Sequence, residues 1–163
     1  MYEIEISSKK DFKDVRGLNI FSEISELGIK GVEKVTYSQV YKIAGDINSL
    51  EAKTIAAELL SDKITEKTSV KTAEPSECCS LPNSFAGLQN QSLSLIEVFY
   101  KKGVTDTVAE SVIKAVKDLG INKDIKASAG HRYYVYGKIS QSALKNIAEK
   151  LLANTLIQEY KIF

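Results

Sequence analysis

The sequence has few of the residues on which catalytic and metal sites depend. It contains no tryptophan, a single histidine, His131, and only two cysteines, Cys78 and Cys79. One histidine with no cysteine near it cannot supply the usual set of zinc ligands, so we interpret His131 as a solvent-facing turn residue. The adjacent cysteines lie in a segment without periodicity, whereas a nucleophilic thiol needs a tight, glycine-flanked turn. We therefore expect no catalytic residues, no metal and no cofactor.

An excess of charge and long apolar runs are also missing. Lysine and arginine number 22 and aspartate and glutamate 21, which gives a net charge of +1. Neither a nucleic-acid surface nor a polybasic membrane patch is expected from such a balance. No apolar run approaches the roughly 20 residues of a membrane span, and the N-terminal stretch lacks the pattern of a signal peptide. We expect a cytoplasmic protein with neither nucleic acid nor membrane as a partner.

Proline is rare, and both prolines, Pro75 and Pro82, fall within residues 72–93. This segment is rich in serine, asparagine and glutamine and shows no periodicity, which is typical of a linker. It is longer than most loops inside a compact domain, and roughly 20 residues can span more than 30 Å. We expect it to carry the chain from the end of one sheet to the start of another. The predicted domains are residues 1–71 and 94–163.

These two segments repeat one another at an offset of 92 positions. The offset places Leu27-Gly28-Ile29 on Leu119-Gly120-Ile121, Ile4-Glu5 on Ile96-Glu97, and Asp14 on Asp106. Such self-similarity indicates two copies of one structural unit. We call residues 1–71 unit 1 and residues 94–163 unit 2.

Each unit reads as β-α-β(β)-α-β, an α+β arrangement related to the ferredoxin-like split βαβ. Period-two alternation predicts strands at residues 2–8 and 95–100, and helical spacing followed by Gly28 or Gly120 predicts the helices between strands. The segments 32–47 and 125–139 fit either one bent strand or a short hairpin. Asn48 with Glu51 predicts a capping box for the second helix.

Two amphipathic helices can cover only one face of each sheet, so the other face must meet something. In unit 2 that face would carry Arg132, Tyr134 and Tyr136. Because a half-covered sheet of about 70 residues is marginal alone, we expect the two units to pack against each other around a pseudo-twofold axis, as a fused dimer.

A second candidate surface lies at Lys101-Lys102-Gly103-Val104-Thr105-Asp106, just before a helix N-terminus, where an anion could bind. The glycine pair and Lys-Ser/Thr of a P-loop are absent, so we interpret this segment as an ordinary strand-to-helix connection.

Tyr134 and Tyr136 could stack RNA bases, but the neutral net charge of the chain favours contact with protein. The predicted partner surface therefore consists of Arg132, Tyr134, Tyr136, Lys101, Lys102 and Asp106.

Unit 2 resembles the PurS family, the small subunit of phosphoribosylformylglycinamidine synthase. The resemblance rests on residues 97–106, on Leu119-Gly120, on residues 133–137, and above all on Ala148-Glu149-Lys150-Leu151-Leu152-Ala153-Asn154-Thr155-Leu156-Ile157-Gln158. Unit 1 is similar but more divergent. It has Asp14-Val15-Arg16-Gly17 where unit 2 has Asp106-Thr107-Val108-Ala109, and Leu59-Leu60-Ser61-Asp62 where unit 2 has Leu151-Leu152-Ala153-Asn154.

The resemblance implies a non-catalytic role. A PurS chain is one unit that dimerises, and the long form of the synthase carries a PurS-dimer-like domain at its N-terminus. The implied partners are the synthetase (PurL-type) and glutaminase (PurQ-type) components, held together so that ammonia passes between them, with further homo-oligomers possible. Lys102 departs from the family's usual proline, and Asp11-Phe12-Lys13 replaces the Gly-Val-Thr run in unit 1. We therefore expect the two units to bind different partners.

An alternative reading is a regulatory domain of the ACT type, which also pairs βαββαβ units. It would bind a small molecule at a seam between units near Gly28 or Gly120. Both readings leave open whether the chain is a complete subunit or a domain of a longer synthase.

Overall fold

A computed structural model describes residues 1–72 and 92–163 as one antiparallel sheet of six strands with four helices. Unit 1 contributes β1 (Tyr2–Ser8), α1 (Val15–Glu26), β2 (Val32–Gly45), α2 (Ser49–Thr54) with a π-helical continuation (Ile55–Leu60), and β3 (Glu66–Thr72). Unit 2 contributes β4 (Leu93–Tyr100), α3 (Thr107–Asp118), β5 (Ile125–Gly137), α4 (Gln141–Ile147) with a π-helical continuation (Ala148–Leu152), and β6 (Gln158–Ile162). Most of the predicted linker, with both prolines and both cysteines, lies outside the described residues.

The strand order is β3-β1-β2-β5-β4-β6, so the two units share a single sheet and meet at β2 and β5. The expectation that the chain passes from one sheet to another is wrong. The two central strands pair along nearly their whole length, from Val32 opposite Gly137 to Gly45 opposite Ile125. Neither strand turns back as a hairpin, because the backbone groups along its edge already pair with the central strand of the other unit.

Each unit begins its first helix with an aspartate that also ties the helix to a strand. Asp14 accepts hydrogen bonds from the backbone N–H of Gly17 (2.9 Å) and of Tyr37 in β2 (2.6 Å). In unit 2, Asp106 accepts equivalent bonds from Ala109 (2.9 Å) and from Ala129 in β5 (2.8 Å). Both helices therefore start at a fixed point over a central strand.

The other predicted helix boundaries are confirmed. Asn48 and Glu51 form the reciprocal capping box that opens α2. Gly28 and Gly120 follow α1 and α3 with φ of +72° and +85°, the left-handed conformation that closes a helix and that glycine adopts without strain. None of the described helices is long and apolar enough to cross a membrane.

Two hydrophobic clusters form the core, and each is built from both units. Val112 and Val116 of α3 pack in the cluster formed by Ile4, Ile43 and Ile55 of unit 1. Ile24 of α1 packs instead with residues of unit 2, among them Val135, Leu144 and Ile147. The predicted boundaries at residues 71 and 94 stay a prediction, but neither unit buries a complete core by itself.

Candidate functional site

The face of the sheet opposite the helices is centred on Arg132, which is only 6% exposed. Its Nη1 donates to carboxylate oxygens of Glu3 (2.9 Å) and Glu5 (3.2 Å), and its Nε donates to Glu97. Burial alone would lower the pKa of Arg132, but its hydrogen bond to Glu3 and the charges of Glu97, Glu3 and Glu5 raise it above its ordinary value. Arg132 therefore stays charged and links β1, β4 and β5.

Neighbouring side chains complete this network. The hydroxyls of Tyr134 and Ser38 both donate to Oε1 of Glu5, the latter at 2.7 Å. Burial, followed by the charge of Glu5, raises the pKa of Tyr134, so its phenol remains a donor. Lys42 lies 3.7 Å from Glu97 and 4.2 Å from the ring centroid of Phe99. The acidic groups of the network are thus engaged inside the chain.

Tyr134 and Tyr136 form a small apolar cluster with Leu95 beside this network. Both tyrosines are 3% exposed. Long aromatic and charged side chains lie over the strands here and bury one another, which is why this face needs no second layer in the single chain. The argument that the face must be covered therefore fails, and contact of these residues with a partner stays a prediction.

The remaining predicted residues lie elsewhere. The ammonium of Lys101 donates to the backbone oxygen of Thr155, and Asp106 is the cap of α3. Lys102 is exposed. These residues follow the end of β4, whereas Tyr136 lies opposite Leu93 at its start. An eight-residue strand spans roughly 25 Å. The structure therefore divides the predicted surface between two places on the sheet.

His131 lies in the middle of β5, opposite Gln39 of β2, and its interpretation as a turn residue is wrong. Its Nδ1 is 2.8 Å from the hydroxyl of Tyr37, which accepts a hydrogen bond from Arg16 (2.7 Å). Burial and then the charge of Arg16 lower the pKa of His131, so its neutral form is favoured. Burial also raises the pKa of the neighbouring Tyr133 to about 12.

The charged groups of this arrangement are paired with one another. Within residues 1–72 and 92–163, no group of three or more His, Cys, Asp or Glu side chains could hold a metal ion. The central carboxylates accept hydrogen bonds from Arg132, Tyr134 and Ser38. What the face does hold is a set of interactions that join β1 of unit 1 to β4 and β5 of unit 2.

Sequence reasoning missed a groove of about 1110 Å³ near the end of β1, which is lined by residues of unit 1 together with Tyr134 and Tyr136 of unit 2. Its lining includes Ser7, Ser8 and Thr68. The 92-residue offset places Phe99, Tyr100 and Tyr160 at the equivalent positions of unit 2. A comparison of side-chain sizes at equivalent positions of the two units would have indicated this groove.

The fold and this face define a tandem α+β protein in which two like units share one antiparallel sheet and each first helix also packs against the core of the other unit. A search of the curated proteins finds no match. The family model PurS, described as phosphoribosylformylglycinamidine (FGAM) synthase, matches residues 1–74 and 94–163. These two regions make up most of the chain, so the chain belongs to the PurS family. The resemblance seen in the sequence is confirmed for both units, and it connects the protein with FGAM synthase and purine biosynthesis.

Proposed function

We propose that the chain is a non-catalytic assembly subunit or domain of FGAM synthase that bridges the synthetase (PurL-type) and glutaminase (PurQ-type) components. In this role it supports the transfer of ammonia between them. The observation that carries the proposal is the continuous pairing of β2 with β5, which joins the two units into one sheet. A six-stranded sheet of this kind has two similar ends, one around β3 and the other around β6. It can therefore hold two components at a fixed separation.

We further propose that a pseudo-twofold axis relates the units, as in a fused PurS dimer. Gln39 pairs with His131, which lies 92 positions later and is its equivalent in unit 2. Adding or subtracting the same offset converts the pair Tyr37–Tyr133 into the pair Ala129–Tyr41, which is also present. The matching aspartate caps and the matching contacts of α1 and α3 with the core of the other unit support the same relation.

The proposal is tested by reconstituting the synthase from purified components with and without this chain. We expect the chain to raise the rate of amidine formation with glutamine as the nitrogen donor. The rate with added ammonia, which needs no transfer between components, should change little and serves as the internal control. Equal glutamine-dependent rates with and without the chain would refute the bridging role.

The ACT-type alternative gains no support from its proposed seam. An added Cβ at Gly28 or Gly120 would meet no atom within 4 Å, and both glycines are explained by the left-handed conformation that ends α1 and α3. We therefore do not propose a small-molecule sensor. The cytoplasmic location and the absence of a nucleic-acid partner stay predictions.

A further inference from the structure

The groove in unit 1 lies where β2 continues beyond β1. The last pair between these strands joins Ser7 to Ser38, so residues 32–37 of β2 run on without β1 beside them. The opening has a volume of about 1110 Å³, slightly more than the roughly 300–1,000 Å³ of typical small-molecule pockets. Its volume is therefore comparable with that of the largest small-molecule pockets.

One wall of the groove is apolar and partly open to solvent. Phe12, Leu18 and Phe21 line it, and Phe12 and Leu18 are 43% and 54% exposed. Single exposed apolar residues are common, but two of them in one groove are more typical of an interaction site.

The unneutralised charge at the groove is positive. Lys10 and Lys67 line it, and neither has an ion-pair partner within the described residues. The acidic residues that line the groove are engaged within the chain. Glu5 binds Arg132, Asp14 caps α1, and Glu33 also has an interaction of its own. The groove therefore offers an apolar wall with cations that are complementary to carboxylates.

The equivalent place in unit 2 has a different character. Phe99, Tyr100 and Tyr160 stand there in place of the small residues Ser7, Ser8 and Thr68, and Glu110 and Glu159 stand in place of Leu18 and Lys67. The ring of Phe99 occupies space against Gly130, where an added Cβ would lie 2.5 Å from it. Unit 2 thus has large side chains and acidic groups at positions where unit 1 has space, an apolar surface and a cation.

We propose that the groove of unit 1 receives a segment of one partner component in which apolar side chains are flanked by carboxylates. The inference rests on the proposed function and deepens it, because it determines which end of the chain meets that component. The acidic groups and larger side chains of unit 2 would repel and exclude the same segment. The end of the sheet at unit 1 and the end at unit 2 would therefore bind different segments.

The test measures the affinity of the full chain for separately purified synthetase and glutaminase components. Leu18→Glu and Lys67→Glu each give unit 1 the residue that unit 2 has, and both replaced side chains are exposed, so the fold should be kept. Thr68→Tyr, which copies Tyr160, narrows the groove without adding charge. We expect each variant to weaken binding of one component at least tenfold and to leave the other within twofold of the wild type.

A matched pair of charge reversals provides the control. Lys34→Glu changes a lysine that lines the groove, and Lys126→Glu changes its equivalent on the exposed surface of β5. Only the first should weaken binding, and the melting temperature and circular dichroism of both should match the wild type. Added salt should weaken the wild-type complex more than the complex of Lys67→Glu, because a charge contact has been removed from the latter.

Three results would overturn the groove proposal while leaving the proposed function intact. In the first, Leu18→Glu and Thr68→Tyr bind both components as tightly as the wild type does. In the second, the variants bind both components more weakly and to the same degree, and in the third they lose self-association while their binding of the components is unchanged. The last would identify a second copy of the chain as the occupant. If the wild-type chain bound neither component, the proposed function itself would fail.

Discussion

Among the described residues, Arg132 is the only cation that contacts three carboxylates at once on the uncovered face, and its replacement by methionine removes these contacts. Glu3, Glu5 and Glu97 have side chains that are 3–11% exposed. Within the part of the chain that the structure describes, Lys42, 3.7 Å from Glu97, would be the one ion-pair partner left to them. Breaking a buried ion pair by deleting one partner typically costs about 3–5 kcal/mol, because the remaining charge stays buried without compensation. We expect a loss of this size in the free energy of unfolding.

Urea unfolding of the wild type and of Arg132→Met, followed by circular dichroism, measures this loss directly. For a protein of this size each kcal/mol lowers the melting temperature by about 2–4 °C, so the expected fall is about 6–20 °C. Lys126→Met on the exposed surface of the same strand is the matched control and should change stability by less than about 0.5 kcal/mol.

A small loss of stability in Arg132→Met would contradict this reasoning. A deficit below about 1 kcal/mol at pH 8 would show that the network around Arg132 is screened by solvent, and would refute our account of why the uncovered face is stable.

Three further substitutions test other parts of the structure. Asp14→Ala removes the cap of α1 and the acceptor of the Tyr37 N–H, and should cost about 1–3 kcal/mol in urea unfolding. Gly130→Ala places a Cβ 2.5 Å from the ring of Phe99 and should also cost about 1–3 kcal/mol, measured in the same way. Because the pKa of His131 is lowered on folding, the folded state binds fewer protons below about pH 6.5, and stability should fall as the pH is lowered from 7 to 5. His131→Gln, which copies the equivalent Gln39, should reduce this fall when melting temperatures are compared across that range.

Each of these expectations has its own contrary result. Wild-type stability of Asp14→Ala would mean that water replaces both hydrogen bonds without loss. A neutral Gly130→Ala would show that the Phe99 ring moves aside at little cost. Parallel pH profiles for the wild type and His131→Gln would mean that His131 titrates alike in the folded and unfolded states.

The contacts of Arg132 also explain why the uncovered face of the sheet can be polar at its centre. Arg132 connects the first strand of unit 1 with two strands of unit 2, so its contacts with Glu3 and Glu5 form only when β2 has paired with β5. A one-residue shift in that pairing would turn Arg132 toward the helices. We expect the network to contribute to the choice of register as well as to stability.

The sequence by itself determined the elements of this protein and its family. The repeat, the capping residues Asp106, Asn48 and Glu51, and the glycines that close α1 and α3 are local signals, since each depends on residues within a few positions of one another. Strand alternation is local in the same way, and the first strand has the predicted bounds. The PurS motifs of unit 2 are likewise contiguous in the chain.

Only the tertiary structure decided how the units join and where the site residues lie. Glu3 and Glu5 alternate with isoleucines and look solvated in the sequence, yet strand order brings them to Arg132 at separations of 129 and 127 residues, respectively. His131 looks like a turn residue until β5 is seen to pair with β2. Which strand lies beside which is set by the burial of apolar surface and the pairing of backbone groups over the whole chain. No local pattern records that choice.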